Sequence, residues 1–245
     1  MTMLIHFFCR MSGYSILQDA YDKKHRAYAL VEENVLFPHL HLRNSRVDGL
    51  VCPKFPKMQY DERYTKYIRK TGLLPLVQIV SRGMPKMNPC ALTALVDRWR
   101  PETHTFHLLC GEMTVTLQDV SMILALPIGG DPVCRSTDTA GWEGIMTCLL
   151  GKAPEPKRGE AAGASFSWIA KHFGVCPPEL DEDSEGVQQH ARAYMWYVIC
   201  RVLFPDCSGR NAPFMWLQLF AVWDYKWSWG TATLAYLYRQ VNPPA

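Results

Sequence analysis

Residues 88–127, NPCALTALVDRWRPETHTFHLLCGEMTVTLQDVSMILALP, contain the pattern of a helix, a β-hairpin and a second helix. Apolar residues recur at helical spacing from Ala91 to Trp99, and Pro101 predicts the end of the first helix. Trp99 lies on the apolar face of that predicted helix. We therefore expect its side chain to be buried in a hydrophobic core.

The hairpin is expected directly after this helix. Apolar and polar residues alternate from His104 to Thr116, which predicts two short strands. Cys110-Gly111-Glu112 is the expected turn, because three-residue hairpin loops commonly contain glycine. Thr116 then resembles the N-cap of a second helix. We expect the buried face of that helix to comprise Leu117, Val120, Ile123 and Leu124.

Apolar periodicity elsewhere predicts helices over 61–71, 75–80, 142–149, 166–173, 187–202 and 234–241. Together these segments predict a mainly α fold, a multi-helix globular domain with one small β-hairpin at about 104–116. The segment KAPEPKRGEAAGA predicts a flexible linker at about 152–164, because it is polar and contains glycine and proline. We expect the four tryptophans between 216 and 229 to lie in the core.

The composition is that of a folded chain. Hydrophobic residues make up 48% and aromatic residues 12%, which excludes global disorder. No stretch approaches the ~18 apolar residues of a membrane span, so we expect no membrane association. The nine cysteines are an odd number without CxxC spacing. We therefore expect reduced thiols rather than a disulfide framework or a zinc ribbon.

The net charge of +3 is unevenly distributed. Residues 1–100 contain 16 Lys and Arg against 8 Asp and Glu, whereas the remaining residues contain 10 against 15. A basic half of this kind is compatible with a nucleic-acid-binding surface. It is equally compatible with attraction between the two halves of the chain, which we favour.

The sequence lacks well-formed motifs of catalysis or metal binding. His104, His107 and Cys110 are of metal-ligand type, but on a strand His107 would point away from the other two, so we expect no metal. Neither a nucleophile elbow nor a phosphate-binding glycine loop is present. Cys207 and Ser208 have no base at a recognisable spacing and predict a polar turn.

Several segments together resemble the plant mobile domain, the module of the maintenance-of-meristems family and of related transposon-encoded proteins. In chain order they are DERY at 61–64, GLL at 72–74, LTALVDRWRPETHTFHL at 92–108, GEMTVTLQDV at 111–120, LFPDCSG at 203–209, WSWG at 227–230 and LAYLYR at 234–239. The residues that we assign to the structural motif of the family are Trp99, Pro101, Phe106, His107, Gly111, Trp227 and Trp229.

The resemblance implies a domain over 51–245, preceded by an extension at 1–50 that matches the family poorly. Members of the family usually continue beyond the LAYLYR segment with another apolar segment. The resemblance therefore implies a domain truncated at its C-terminal end. It also brings the description "aminotransferase-like", which the residues do not support.

An aminotransferase needs a Schiff-base lysine, an anion site for the cofactor phosphate and a partner for the pyridine nitrogen. Only Lys152, Lys157 and Lys171 lie between Lys86 and Lys226, and the first two fall in the predicted linker. We therefore expect neither enzyme activity nor a cofactor.

The resemblance implies a non-enzymatic interaction module of a nuclear plant protein connected with transposon silencing, genome stability and meristem maintenance, or a transposon-derived relative. It also implies a protein partner, a phosphatase of the serine/threonine class. The alternative is a DNA- or RNA-binding domain that uses the basic first 100 residues. A hydrolase or transferase is kept as a third class, because helical enzymes need not show linear motifs. A cytoplasmic location is the alternative to the nucleus.

Two sets of basic residues are candidates for the interaction surface. Arg63, Lys66, Arg69 and Lys70 stripe one side of the helix expected at 61–71. Arg98 and Arg100 flank Trp99, and arginine and tryptophan are typical anchors of protein interfaces. The same arginines also suit the end of a helix, where positive charge is favourable.

Overall fold

A computed structural model describes five ranges of the chain: 58–82, 94–134, 138–155, 162–205 and 211–241. The chain divides into two compact units. Of the described residues, the first unit contains 94–116 and 237–241, and the second contains 58–82 and those from 117 to 236. The predicted extension at 1–50 and the predicted turn at Cys207 and Ser208 lie outside the described residues.

The predicted mainly α fold is confirmed. The α-helices of the described ranges are α1 (Thr65–Thr71), α2 (Leu74–Ser81), α3 (Leu117–Leu124), α4 (Trp142–Leu150), α5 (Phe166–Phe173), α6 (Glu185–Val202), α7 (Phe214–Leu217) and α8 (Trp229–Val241). The strands are β1 (Trp99–Arg100), β2 (Thr105–Leu108), β3 (Gly111–Met113), β4 (Gly163–Ser165) and β5 (Asn211–Pro213). They form two small antiparallel sheets, β1-β2-β3 and β4-β5.

Helix α6 forms the centre of the second unit. Ser184 precedes it as the N-cap, and its hydroxyl accepts a hydrogen bond from the backbone N–H of Val187 at 3.3 Å. Every residue from 191 to 200 is buried, so this part of the helix is covered on all sides rather than on one. The helix predicted over 187–202 is confirmed, and its buried surface extends well beyond the single face expected from the sequence.

Helices α1 and α2 form as predicted. Asp61 caps the short 3-10 turn that leads into α1, because its carboxylate accepts a hydrogen bond from the backbone N–H of Arg63 at 2.9 Å. Gly72 ends α1 with a left-handed φ of 77°, which glycine adopts without strain. Pro75 lies in the first turn of α2, where its missing N–H leaves no helical hydrogen bond unmade.

Strand β4 occupies one end of the predicted linker. Gly163 pairs with Pro213 and Ala164 with Ala212, which corrects the C-terminal boundary of the linker expected at 152–164. Residues 152–155 have no regular structure, and 156–161 lie outside the described residues. A linker over the rest of this segment stays a prediction.

The first unit contains one strand that was not predicted. Trp99 lies in β1 and pairs with Phe106 of β2, so the helix expected to reach Trp99 ends earlier. Its described helical residues are 94–96. The physical reason is that cross-strand pairing with β2 outweighs the local helical pattern, as tertiary context often does.

The predicted hairpin is confirmed in β2 and β3, with a correction to its turn. Gly111 pairs with Leu108, so Gly111 and Glu112 belong to β3. The turn consists of Leu109 and Cys110 instead of the three residues at 110–112. A shorter turn allows one more cross-strand pair than the sequence pattern suggested.

Helix α3 begins directly after Thr116, as predicted, and Val120 is buried. Ile123 is 45% exposed, which contradicts its assignment to the buried face. Successive residues of an α-helix are separated by about 100° around its axis, and Ile123 is thereby turned away from Leu124.

Candidate interaction surface

Arg63, the first residue of the predicted basic stripe, is a structural anchor of the second unit. Its Nε and Nη2 donate to the two carboxylate oxygens of Asp61, at 2.9 and 2.7 Å. Its guanidinium also donates to the carbonyl oxygens of Leu180 and Pro177, at 2.7 and 3.1 Å. The hydrogen bond from Arg63 holds the pKa of the Asp61 carboxyl below its usual value. Arg63 therefore attaches the 177–180 segment to the beginning of α1.

Lys66 and Lys70, further along the stripe, also contact carboxylates of the same unit. The Nζ of Lys66 contacts Asp183 and lies 3.4 Å from Oε1 of Glu182. The contact with Asp183 raises the pKa of Lys66. The Nζ of Lys70 lies 3.7 Å from Oδ2 of Asp224. These pairs join cations of the basic first 100 residues to carboxylates of the acidic remainder, which is the attraction that we favoured from the charge distribution.

Arg69 faces solvent, as Lys70 also does. Its side chain is exposed, and no hydrogen bond or ion pair with another described residue involves it. The Nζ of Lys226 donates to the carbonyl oxygen of Lys70 at 2.8 Å, so a further cation lies at this end of α1. The stripe is thus extended by a residue that lies far from it in sequence.

Arg98 and Arg100 belong to the first unit. The Nη1 of Arg98 donates to the carbonyl oxygen of Ala94 at 2.9 Å, which places this arginine at the end of the helical turn over 94–96. Arg100 is half-buried and forms the second residue of β1. These two arginines stay candidates for partner contacts.

Two motif residues of the first unit, Trp99 and Phe106, form a small aromatic group with Tyr238. Trp99 is 5% exposed, and its ring centroid lies 4.8 Å from that of Phe106 and 5.6 Å from that of Tyr238. His107 lies opposite Glu112, with 3.3 Å between Nε2 and Oε1. Gly111 has a φ of 125°, and Pro101 lies in the exposed turn between β1 and β2.

The motif tryptophans of the second unit are core residues that also donate hydrogen bonds. Trp227 donates to the carbonyl oxygen of Leu219 at 3.2 Å, and Trp229 donates to that of Thr71 at 3.1 Å. Both are buried, as is Trp223, whereas Trp216 is half-buried. A buried indole needs a partner for its N–H, and both carbonyl oxygens supply one.

Burial shifts the pKa values of several titratable groups in the second unit. Burial raises the pKa of the Cys176 thiol and of the Tyr64 hydroxyl, and raises the pKa of Tyr194 to about 12. Burial lowers the pKa of His190, whose Nδ1 lies 2.8 Å from the carbonyl oxygen of Gly186. A reactive thiol has a lowered pKa, so the raised pKa of Cys176 is that of a thiol packed in an interior.

Within the described ranges, no group of three or more His, Cys, Asp or Glu residues is arranged to hold a metal ion. Cys110 lies in the turn between β2 and β3, and His107 contacts Glu112 across the same strands. The cysteines of the described ranges are free thiols. None of the described helices has both the length and the apolar character that crossing a membrane requires.

The partners of the stripe were not identified from the sequence. Glu182, Asp183 and Asp224 lie more than 100 residues from Lys66 and Lys70, and helical periodicity carries no information about such distant pairs. The acidic run DEDSE at 181–185 was a usable signal, because its charge is complementary to the stripe.

The model of the plant mobile domain matches residues 76–243 of this chain. The chain belongs to the plant mobile domain family. Residues 61–74, which carry the DERY and GLL motifs, precede the matched range. No solved structure matches the chain.

Three relatives of this plant mobile domain come from Arabidopsis thaliana. Protein MAIN-LIKE 2 is 39% identical over 173 residues, which cover 70% of this chain and 25% of that protein. A serine/threonine-protein phosphatase 7 long form homolog is 34% identical over 227 residues, which cover 89% of this chain and 16% of that protein. Protein MAINTENANCE OF MERISTEMS is 36% identical over 166 residues, which cover 65% of this chain and 34% of that protein. The chain thus spans between 16% and 34% of the length of these relatives.

Proposed function

We propose that this plant mobile domain is a non-enzymatic protein-interaction module of a nuclear plant protein, connected with transposon silencing, genome stability and meristem maintenance, or a transposon-derived relative of one. The observation that carries the proposal is that the same domain occurs in relatives of two kinds. One kind is named for meristem maintenance, and the other is a phosphatase homologue of which the matched region covers 16%. A module shared by such different proteins is expected to supply contacts rather than one chemical reaction.

The side chains of the second unit support a binding role. Tyr64 and Cys176 are buried, and burial raises the pKa of each, as expected for side chains packed in an interior. The motif tryptophans are used for packing and for hydrogen bonds to main-chain carbonyls. The proposed partner is a protein phosphatase of the serine/threonine class.

The test begins with proximity labelling in plant nuclei and ends with purified proteins. The tagged chain is expected to enrich a serine/threonine phosphatase, and the two purified proteins should then bind each other at micromolar concentration or below. An unrelated nuclear protein with the same tag is the control. Enrichment that disappears after nuclease treatment, without binding between purified proteins, would contradict the proposal.

Nucleic-acid binding is the alternative function. The exposed cation Arg69 favours it, because its side chain is accessible to a phosphate. Binding to DNA or RNA should weaken steeply as salt rises, because each phosphate contact releases condensed counterions. A steep salt dependence that becomes shallower in Arg69→Gln would support this alternative. We expect weak binding instead, because carboxylates contact Lys66 and Lys70.

A further inference from the structure

One surface of the second unit brings cations of α1 together with carboxylates from distant parts of the sequence. Lys66, Arg69 and Lys70 are spaced i, i+3 and i+4 on α1, so they share one side of the helix. Lys226 reaches the end of the same helix through its hydrogen bond to the carbonyl oxygen of Lys70. We call these four residues the cationic face.

Carboxylates of the same unit occupy two parts of the cationic face. Glu182 and Asp183 contact Lys66, and Asp224 lies beside Lys70. The side chains of Asp183 and Asp224 are 92% and 71% exposed. Exposed ion pairs of this kind are weak, because water screens them, so a competing anionic segment can displace them.

The segment that carries Glu182 and Asp183 is held in place without their carboxylates. Arg63 binds the carbonyl oxygens of Pro177 and Leu180, and the hydroxyl of Tyr67 donates to the carbonyl oxygen of Glu182 at 3.4 Å. These contacts involve the main chain of the segment. Neutralising the two acidic side chains should therefore leave its path unchanged.

We propose that the cationic face is a docking site for an acidic peptide segment of a partner protein, and that Glu182, Asp183 and Asp224 act as an internal competitor for it. The proposal rests on the proposed function, because it assigns a surface to the protein-interaction module. The carboxylates on Lys66 come from two successive residues of one loop, which is the chemistry that an acidic peptide would reproduce.

A peptide fits this surface better than a nucleic-acid duplex does. Carboxylates lie at both ends of the cationic face, with Glu62 exposed in the 3-10 turn before α1 and Asp224 beside Lys70 at its end. A rigid duplex would bring many phosphates close to those carboxylates, and like charges repel. A flexible acidic peptide can place single carboxylates between them.

The test uses the full chain and a fluorescein-labelled hexaglutamate peptide, with binding measured by fluorescence anisotropy at low salt. The double variant Glu182→Gln/Asp183→Asn should bind the peptide about fivefold to tenfold more tightly than the original chain, because up to two weak pairs no longer compete. Adding Lys66→Gln to the double variant should remove the gain.

A matched control separates this site from a general effect of net charge. Glu179→Gln/Asp181→Asn makes the same change in charge on the same loop, but neither side chain contacts a cation in an ion pair of the described residues. This control should change the affinity for the peptide by less than about twofold. An equal gain in the control would overturn the proposal, and so would no gain in the double variant.

A labelled DNA duplex provides the second arm. If the double variant gains affinity for the duplex and not for the peptide, the face is a nucleic-acid site and the proposal is wrong. Thermal melting checks that the variants fold, and Asp183→Asn alone replaces the double variant if that variant melts early. If the chain binds the peptide but no nuclear protein partner is found, the docking face is retained and the proposed function is rejected. If a nuclear protein partner is found but the chain does not bind the peptide, only the docking face is rejected.

Discussion

Asp61 and Arg63 together cap the turn that leads into α1 and attach the 177–180 segment to it. Asp61 accepts the backbone N–H of Arg63 as a helix cap and also forms a bidentate ion pair with its guanidinium. Arg63 in turn holds the carbonyl oxygens of Pro177 and Leu180. A change at either residue should therefore affect both the beginning of α1 and the segment that crosses it.

Asp61 should contribute stability that depends on pH. Its folded-state pKa is lowered from the ordinary value of 3.8, first by the hydrogen bond from Arg63. This contribution is present above pH 3.8 and is lost as the pH falls through the lower folded-state value. Asp61→Asn retains a good N-cap residue but loses the charge. The free energy of unfolding of the two proteins, measured in urea, should differ near neutral pH and converge on acidification. A constant difference would contradict this role.

Trp99 lies in a buried aromatic group of the first unit, between Phe106 and Tyr238. Trp99→Ala should lower the free energy of unfolding by about 3–5 kcal/mol, because it leaves a cavity in place of a large side chain. Denaturant unfolding of the purified chain measures the change. Leu109→Ala is the control, since Leu109 is 83% exposed and its truncation should have little effect. An unchanged stability of Trp99→Ala would restore the interpretation of Trp99 as a partner anchor.

Helices α1 and α4 end at glycines with a left-handed backbone, Gly72 and Gly151, and Gly72 can be compared with Gly144 inside α4 in a matched test. Gly144 lies within α4, and a Cβ added there would meet no atom within 4 Å. Gly144→Ala should stabilise the chain by about 0.5–1 kcal/mol, because alanine loses less entropy in a helix. Gly72→Ala should destabilise it, because φ is 77° and the new Cβ would lie 3.2 Å from Pro127. Thermal melting measures the change in Tm of each variant. Changes of the same sign would show that the local backbone conformation does not decide the effect of these substitutions.

The helices with clear ends were predicted from the sequence alone, because their signals are local. Pro75 marks the beginning of α2 and Gly151 marks the end of α4, and both signals can be read from the sequence. β1 was missed, because Trp99 has a helical spacing and becomes part of a strand only through its pairing with Phe106. The candidate surface was predicted only in part. The sequence indicated Lys66, but its carboxylate partners lie on a loop that is distant in sequence.

At the scale of the whole molecule, the chain folds around apolar and aromatic side chains. We expect the purified protein to contain less than stoichiometric zinc and to keep its circular dichroism spectrum in the presence of a chelator. The reason is that His107 contacts Glu112 across the sheet and Cys110 lies in the turn, so His104, His107 and Cys110 do not form one ligand set. Elemental analysis that finds nearly equimolar zinc would contradict this interpretation.

The complete burial of α6 from 191 to 200 has a consequence for amide hydrogen exchange. Amides at the ends of helices exchange through local fraying, whereas amides in the most buried segment exchange only when the surrounding structure opens. The protection of the amides at 191–200 should therefore report the global free energy of unfolding of the second unit. Amides of the short, half-exposed α3 should become deuterated much earlier. A mass-spectrometric time course would measure the rate of deuterium uptake of each helix and so rank the helices by the free energy of the opening that exposes their amides.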